Sequence, residues 1–400
     1  MKGLAGKMKK ELSLLEPSDI LKFDQETSKI PGIIKLTLGE PDFNTPEHVK
    51  EAGRRSISAD HSHYAPSAGT LGLRRAISQF MAEKYQLNYL PESQILVTAG
   101  ATEAIFSSLT AILNPGDKVL IPTPIFPLYI PITMLNGAKP IFLDTSANGF
   151  VLSPQMLEAA LAKHGEAVKA IIFNFPTNPT GVTYRRPALE ALSEVLKQHE
   201  IFVICDEIYS ELTYGEPHVS MAEYLPDQTI VINGASKSHA MTGWRIGFLC
   251  GPTDVIREIG KVHQFAITSA TTIAQDAAEE AFKNGLDDGA KMKVEYDRRR
   301  DFVYQRMCAL GFDCLKPEGT FYLFAGIPSD LKQNSLDFCL DLARKAKVAV
   351  IPGDSFGPGS ESHIRISYAA SMENLEEAMR RIGEYATHER SQASVASSVK

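Results

Sequence analysis

The sequence predicts an α/β protein built on a parallel sheet covered by helices on both faces, with a smaller α+β lobe after it. Three observations carry this. Short apolar runs alternate with longer amphipathic stretches through the middle of the chain, the pattern of strands buried on both faces and of the helices that cover them. Polar residues of unusual variety follow those runs, at the strand ends where ligands bind in such sheets. After about Leu286 the rhythm changes to a long charged helix and scattered short strands.

Taken in order, Ile95-Leu-Val97 predicts a strand feeding a helix from Thr102 to Leu113. Lys118-Val-Leu-Ile121 predicts a second strand, which runs into a proline-rich loop. Val168 to Phe173 predicts a third, followed by a turn and a helix from about Pro187 to His199. Ile201 to Cys205, Thr229 to Ile232 and Ile246 to Cys250 read as three more. The second region then reads as a helix from Met292 to Leu310, a strand at Gly319–Phe324, another helix, Val348–Ile351, a Gly/Pro loop and a strand at His363–Tyr368. The Ser/Ala-rich stretch Ser391 to Lys400 predicts a frayed tail. No internal repeat is visible.

Composition narrows the function classes. Of 400 residues, 44% are apolar and 22% charged, ordinary globular usage that excludes wholesale disorder. Lys+Arg 41 against Asp+Glu 48 leaves a net charge of −7, against a general nucleic-acid or anionic-membrane binder. The 5 cysteines are odd in number and form no CxxC, so neither a disulfide framework nor a zinc ribbon is indicated, and a reducing cytoplasm fits best. The basic start Met1 to Lys10 is followed by Glu11-Leu-Ser-Leu-Leu-Glu16 rather than an apolar run, which disfavours a signal peptide. The longest uncharged stretch, Val119 to Ala138, contains Pro122, Pro124, Pro127 and Pro131, too many for a membrane helix.

Lys237, just past a predicted buried strand, can be partly desolvated, which lowers its pKa and frees an amine for condensation with a carbonyl. Asp206 ends another strand. It reads as a partner for a cationic ring nitrogen or as a helix cap. Tyr209 can present its hydroxyl to the same cavity or simply pack. Gly100-Ala101-Thr102 is a strand-to-helix turn whose free N–H groups and helix dipole attract an anion. Alternation puts His363, Arg365 and Ser367 on one face, either solvated or lining a site where the guanidinium grips a carboxylate. Asn178 reads most simply as a turn residue. The histidines form no metal-ligand pattern, so no metal is expected. No GxGxxG, GxxxxGK[ST] or GxSxG occurs, against dinucleotide, P-loop and α/β-hydrolase readings.

The order of these pieces is more specific than any one of them. Leu36-Thr-Leu-Gly-Glu-Pro-Asp-Phe43, Tyr64, Thr98-Ala-Gly-Ala-Thr-Glu-Ala-Ile105, Asn174 to Gly181, Asp206-Glu-Ile-Tyr209, Ser236-Lys237 with Met-Thr-Gly-Trp-Arg-Ile-Gly247, and Arg365-Ile-Ser367 follow one another along the chain. This resembles the class I/II aminotransferases of pyridoxal-phosphate fold type I, over roughly Ser18 to Glu384. Within them it most resembles the Bacillus-type N-acetyl-LL-diaminopimelate aminotransferases, or aminotransferase A. The resemblance implies a large domain over residues 46–285, with a mostly parallel seven-stranded sheet, and a small domain made of residues 1–45 and 286–400. It implies that Lys237 carries pyridoxal 5′-phosphate and moves the substrate proton, that Asp206 holds the ring nitrogen, and that Tyr209 and Asn178 bond the ring oxygen. Phe126 would stack on the ring. Ala101, Thr102, Ser236 and Arg245 would hold the phosphate, and Gly39, Asn178 and Arg365 the substrate carboxylate. Tyr64 would reach the phosphate of a second subunit, making a homodimer the working unit.

One position departs from the family pattern. Three residues before the lysine, where the family often has a phosphate-binding serine, this chain has Gly234. Val262 to Phe282 contains no Lys or Arg, whereas some dicarboxylate-specific relatives place a partner-subunit arginine in this region. The implied reaction is transfer of an amino group from an L-amino acid to a 2-oxo acid, 2-oxoglutarate in the implied case, by a ping-pong route. The amino donors to weigh are N-acetyl-LL-2,6-diaminopimelate in lysine biosynthesis, or aspartate, aromatic or broad amino acids. The same fold hosts lyases that cleave C–S bonds. A regulatory, DNA-binding relative is disfavoured by the acidic charge and the short stretch before Leu36.

Overall fold

The computed structural model describes residues 3–331 and 334–398. Its main sheet has seven strands: β1 (Ile95–Thr98), β2 (Lys118–Thr123), β3 (Lys139–Asp144), β4 (Val168–Asn174), β5 (Phe202–Asp206), β6 (Thr229–Gly234) and β7 (Gly247–Cys250). They lie in the order β1-β7-β6-β5-β4-β2-β3, and only β7 runs antiparallel to its neighbours. Period-two alternation divides the central side chains between the two faces. Ile172, Ile204, Ile232 and Leu249 enter one apolar cluster. Ile171, Phe173, Val203 and Cys205 enter another across the sheet. The edge strand β3 escapes the sequence reading because its residues are only partly buried or exposed, and Pro140 interrupts the apolar run.

Four helices matter below: α1 (Ala101–Ile112), α2 (Ala235–Ser238), α3 (Thr253–Ile267) and α4 (Asp288–Ala309). The turn into α1 is made by Gly100, at φ 79°, a conformation that glycine adopts without penalty.

The C-terminal region holds a four-stranded antiparallel sheet, ordered Ile351–Pro352, His363–Ser367, Tyr322–Gly326, Asp313–Cys314. The N-terminal segment is stitched to it. Ile34–Lys35 pairs in parallel with Val348–Ala349, the Leu36 N–H donates to the Ala349 carbonyl at 2.9 Å, and the Ser367 N–H donates to the Leu36 carbonyl at 2.9 Å. This brings Thr37, Gly39 and Glu40 to the ends of the large sheet's strands.

Two expectations need correction. The stretch from Ser391 does not fray at once, because the last helix, α5, spans Met372–Ser398. Alanine is the best helix former and no glycine or proline after Gly383 interrupts the run. Val399 and Lys400 lie outside the described residues. The His363–Ser367 face is not solvated either, since Arg365 and Ser367 are both 2% exposed. Among the described residues, no helix is long and apolar enough to cross a membrane.

Candidate active site

The C-terminal ends of β1, β4, β5 and β6 open into a cavity of about 380 Å³. Gly39, Ala101, Thr102, Phe126, Asn178, Asp206, Tyr209, Ser236, Lys237, Arg245 and Arg365, named from the sequence, all line it. Tyr64 does not. It is 88% exposed and borders a separate surface hollow beside His61, His63 and Ser269 to Ile273.

Lys237 sits on α2, the four-residue helical turn that follows β6, so a buried strand delivers it to the cavity. Its ammonium donates to the Gly39 carbonyl and lies 5.7 and 5.8 Å from the ring centroids of Tyr209 and Phe321. Burial lowers its pKa to about 8. The Arg245 and Arg365 charges push the same way, while Glu40 and Asp206 oppose them.

Asp206 is 4% exposed at the end of β5. The Tyr129 hydroxyl donates to its Oδ2 at 2.7 Å, and the Ile208 N–H donates to Oδ1 at 3.2 Å. Burial raises its pKa to about 6, and these two donors hold it from rising further. At neutral pH the group is a fixed, buried carboxylate.

Arg365 reaches the cavity from the small sheet. Its Nη1 donates to Asn178 Oδ1 at 2.9 Å and its Nη2 to the Thr37 carbonyl at 2.7 Å. Its guanidinium carbon lies 4.4 Å from the Tyr322 ring centroid and 5.0 Å from that of Phe356. Its Nε is buried with no partner among the described residues. The Tyr209 hydroxyl meets that of Tyr322 at 2.9 Å. Asn178 is more than a turn residue, being 5% exposed and bonded to Arg365.

Opposite the small sheet, α1 points its N-terminus into the cavity. Arg245, at φ 55°, crosses the mouth of this turn and donates to the Thr242 carbonyl at 2.9 Å and the Ala99 carbonyl at 3.5 Å. Among the described residues it pairs with no carboxylate. Gly247 packs so tightly on the turn that a Cβ there would overlap the Ala101 nitrogen. Free helix N–H groups, an uncompensated guanidinium and close glycine backbone form an anion cradle. Gly234 has its own explanation. A Cβ there would lie 2.8 Å from the Gly247 Cα and from the Ile246 carbonyl oxygen, so the antiparallel β6–β7 contact leaves a serine no room without backbone movement.

Sequence reasoning missed Tyr129, Tyr322 and Thr37. Tyr129 lies three residues beyond Phe126, at the start of the short helix Tyr129–Leu135. Tyr322 followed the Gly319-Thr-Phe run, and Thr37 stood two residues before Gly39. None has a spacing that separates it from ordinary packing.

An anion cradle, a partly desolvated lysine, a buried carboxylate and a second arginine at the strand ends of this sheet define a fold type I pyridoxal-phosphate enzyme. These residues fit that group's phosphate, aldehyde and ring nitrogen. Comparison with known proteins agrees. The family described as aminotransferase class I and II matches residues 31–382, and the chain belongs to it. A probable N-acetyl-LL-diaminopimelate aminotransferase of Bacillus subtilis (strain 168) is 46% identical over 92% of this chain and 93% of its own. An aspartate aminotransferase of the same organism is 38% identical, over 94% and 98%. The solved structure of an aspartate aminotransferase from Thermus thermophilus with maleate is similar with a TM-score of 0.90 and 35% identity, covering 96% of this chain and 100% of that one. The protein is therefore a transaminase whose cofactor is pyridoxal 5′-phosphate.

Proposed function

We propose that this enzyme transfers the amino group of N-acetyl-LL-2,6-diaminopimelate to 2-oxoglutarate in lysine biosynthesis, as a cytoplasmic homodimer working by a ping-pong route. The 46% identity over nearly the whole chain to the probable N-acetyl-LL-diaminopimelate aminotransferase carries this reading. A second reading, aspartate as donor, has support from the 38% identical aspartate aminotransferase. Half-reactions of the purified enzyme with N-acetyl-LL-2,6-diaminopimelate, aspartate, phenylalanine and a broader donor panel, each followed by 2-oxoglutarate, test it. A kcat/KM for the acetylated donor at least tenfold above the rest is expected. Aspartate leading the panel overturns it.

When bound, pyridoxal phosphate supplies a sink for the electrons left when a proton leaves the substrate α-carbon. Lys237 moves that proton, and its pKa of about 8 leaves roughly a tenth of it as free amine at pH 7. Asp206 would keep the ring nitrogen protonated, its carboxylate fixed by the Tyr129 hydroxyl. Tyr209 and Asn178 would bond the ring oxygen, and Phe126 would stack on the ring. Ala101, Thr102, Ser236 and Arg245 would hold the phosphate. Arg365, Asn178 and the Gly39 backbone hold the substrate carboxylate. The exposure of Tyr64 supports its reaching a second subunit's phosphate. The large lobe comprises residues 46–285, and residues 1–45 with 286–400 form the small one.

A further inference from the structure

Behind the anion cradle lies a charge that the reaction does not use. The side chain of His263, on α3, is 0% exposed. Its Nδ1 faces both carboxylate oxygens of Glu103, at 3.1 and 3.2 Å, and its Nε2 lies 2.8 Å from the Ser67 carbonyl oxygen. A carboxylate and a carbonyl only accept, so the ring bonds both at once only as the protonated imidazolium. Glu103 occupies the first turn of α1. It also accepts from the Ala99 N–H at 3.2 Å and from the Ser107 hydroxyl. Ser67 belongs to the loop that carries Tyr64, and the Val97 N–H of β1 donates to the next carbonyl, Ala68, at 3.0 Å.

From this geometry we propose that His263 is a positioning residue for cofactor phosphate binding, clamping the Ala99–Thr102 turn, through Glu103, to the Tyr64 loop. The inference rests on the reading of that turn as the phosphate cradle. One buried cation then joins the helix N-terminus that faces this chain's phosphate to the loop that, on the proposed reading, reaches the second subunit's. Glu103 faces His263 from α1, the loop offers only a carbonyl, and β1, also packed on α3, presents no titratable group. Glu103 and the Ser67 carbonyl raise the pKa of His263 against the opposing effect of burial. The clamp is complete below the ordinary histidine range and opens as pH rises through the raised value.

The test compares wild type, His263→Gln, and the double variant Glu103→Gln/His263→Gln, which replaces the charged pair by two amides. Each apoenzyme is titrated with pyridoxal 5′-phosphate and with pyridoxal, which lacks the phosphate, from pH 6 to 9. At pH 6 the variants are expected to lose about 10- to 100-fold in affinity for the phosphorylated form and little for pyridoxal. In wild type the ratio of the two affinities should fall on the alkaline side more than it does in His263→Gln. Equal losses for both aldehydes, or a pH dependence of the ratio that is the same in all three proteins, overturn the inference. Arg245→Ala is the control. If it leaves phosphate affinity intact, the cradle reading itself fails. If it weakens that affinity while the His263 variants do not, only the clamp fails.

Discussion

Tyr129→Phe isolates the force that keeps Asp206 ionised. The substitution removes one oxygen and leaves the buried ring in place, so repacking cost is small. What disappears is the 2.7 Å bond to Asp206 Oδ2. A hydrogen bond to a charged group contributes about 1.5–3 kcal/mol, and one pKa unit is about 1.36 kcal/mol, so the carboxyl should rise by about 1–2 units. From about 6 in the wild-type chain it would reach roughly 7–8. On the proposed role, only the ionised carboxylate pairs with a protonated ring nitrogen. Cofactor affinity should therefore fall about tenfold per pH unit below the Asp206 pKa. The assay is titration of apoenzyme with pyridoxal 5′-phosphate across pH, read by ring absorbance. The phosphate's own second ionisation, near pH 6, falls in this range but is common to both proteins. The break in affinity should thus move alkaline by about 1–2 units in the variant. Coincident breaks in the two proteins refute the reasoning, because burial alone would then govern the carboxyl.

Three further outcomes are expected. Lys237→Ala should lower the transamination rate by about 100- to 10,000-fold or more, and borohydride should fix the cofactor to wild type but not to the variant; a normal rate would end the assignment. Arg365→Lys keeps the charge but not the fork that bonds Asn178 and the Thr37 carbonyl. The KM for both amino and oxo acid should therefore rise about tenfold or more with kcat less affected, and unchanged KM values in steady-state kinetics would count against it. Gly234→Ser forces a Cβ to 2.8 Å from rigid backbone and should cost about 1–3 kcal/mol in thermal or urea unfolding, and a variant as stable as wild type with tighter cofactor binding would refute the steric account.

How legible the site was depends on what each residue needs from the rest of the chain. Asp206, Lys237 and Gly100 were legible because each directly ends or follows a buried strand, and β topology alone brings strand ends together. The six runs read as strands before Leu286 all belong to one sheet, because burial on both faces leaves an unbroken apolar signal. The half-exposed edge strand β3 left none. Arg365 was ambiguous for a different reason. Period-two alternation defines a face but not what covers it, and its cover comes from Thr37 and Asn178, respectively 328 and 187 residues away along the chain. Tyr129 and Tyr322 were illegible for the same cause, since a tyrosine becomes a site residue only through the acceptor that tertiary packing supplies. His263 is the extreme case. Its helix reads as ordinary amphipathic sequence, and its charge follows only from two acceptors on separate elements meeting one ring. What the sequence carries is therefore the set of groups at the strand ends. The protonation states of Asp206 and His263 are instead properties of the assembled cavity wall, so pH-resolved cofactor titration tests that wall more directly than a rate measured at one pH.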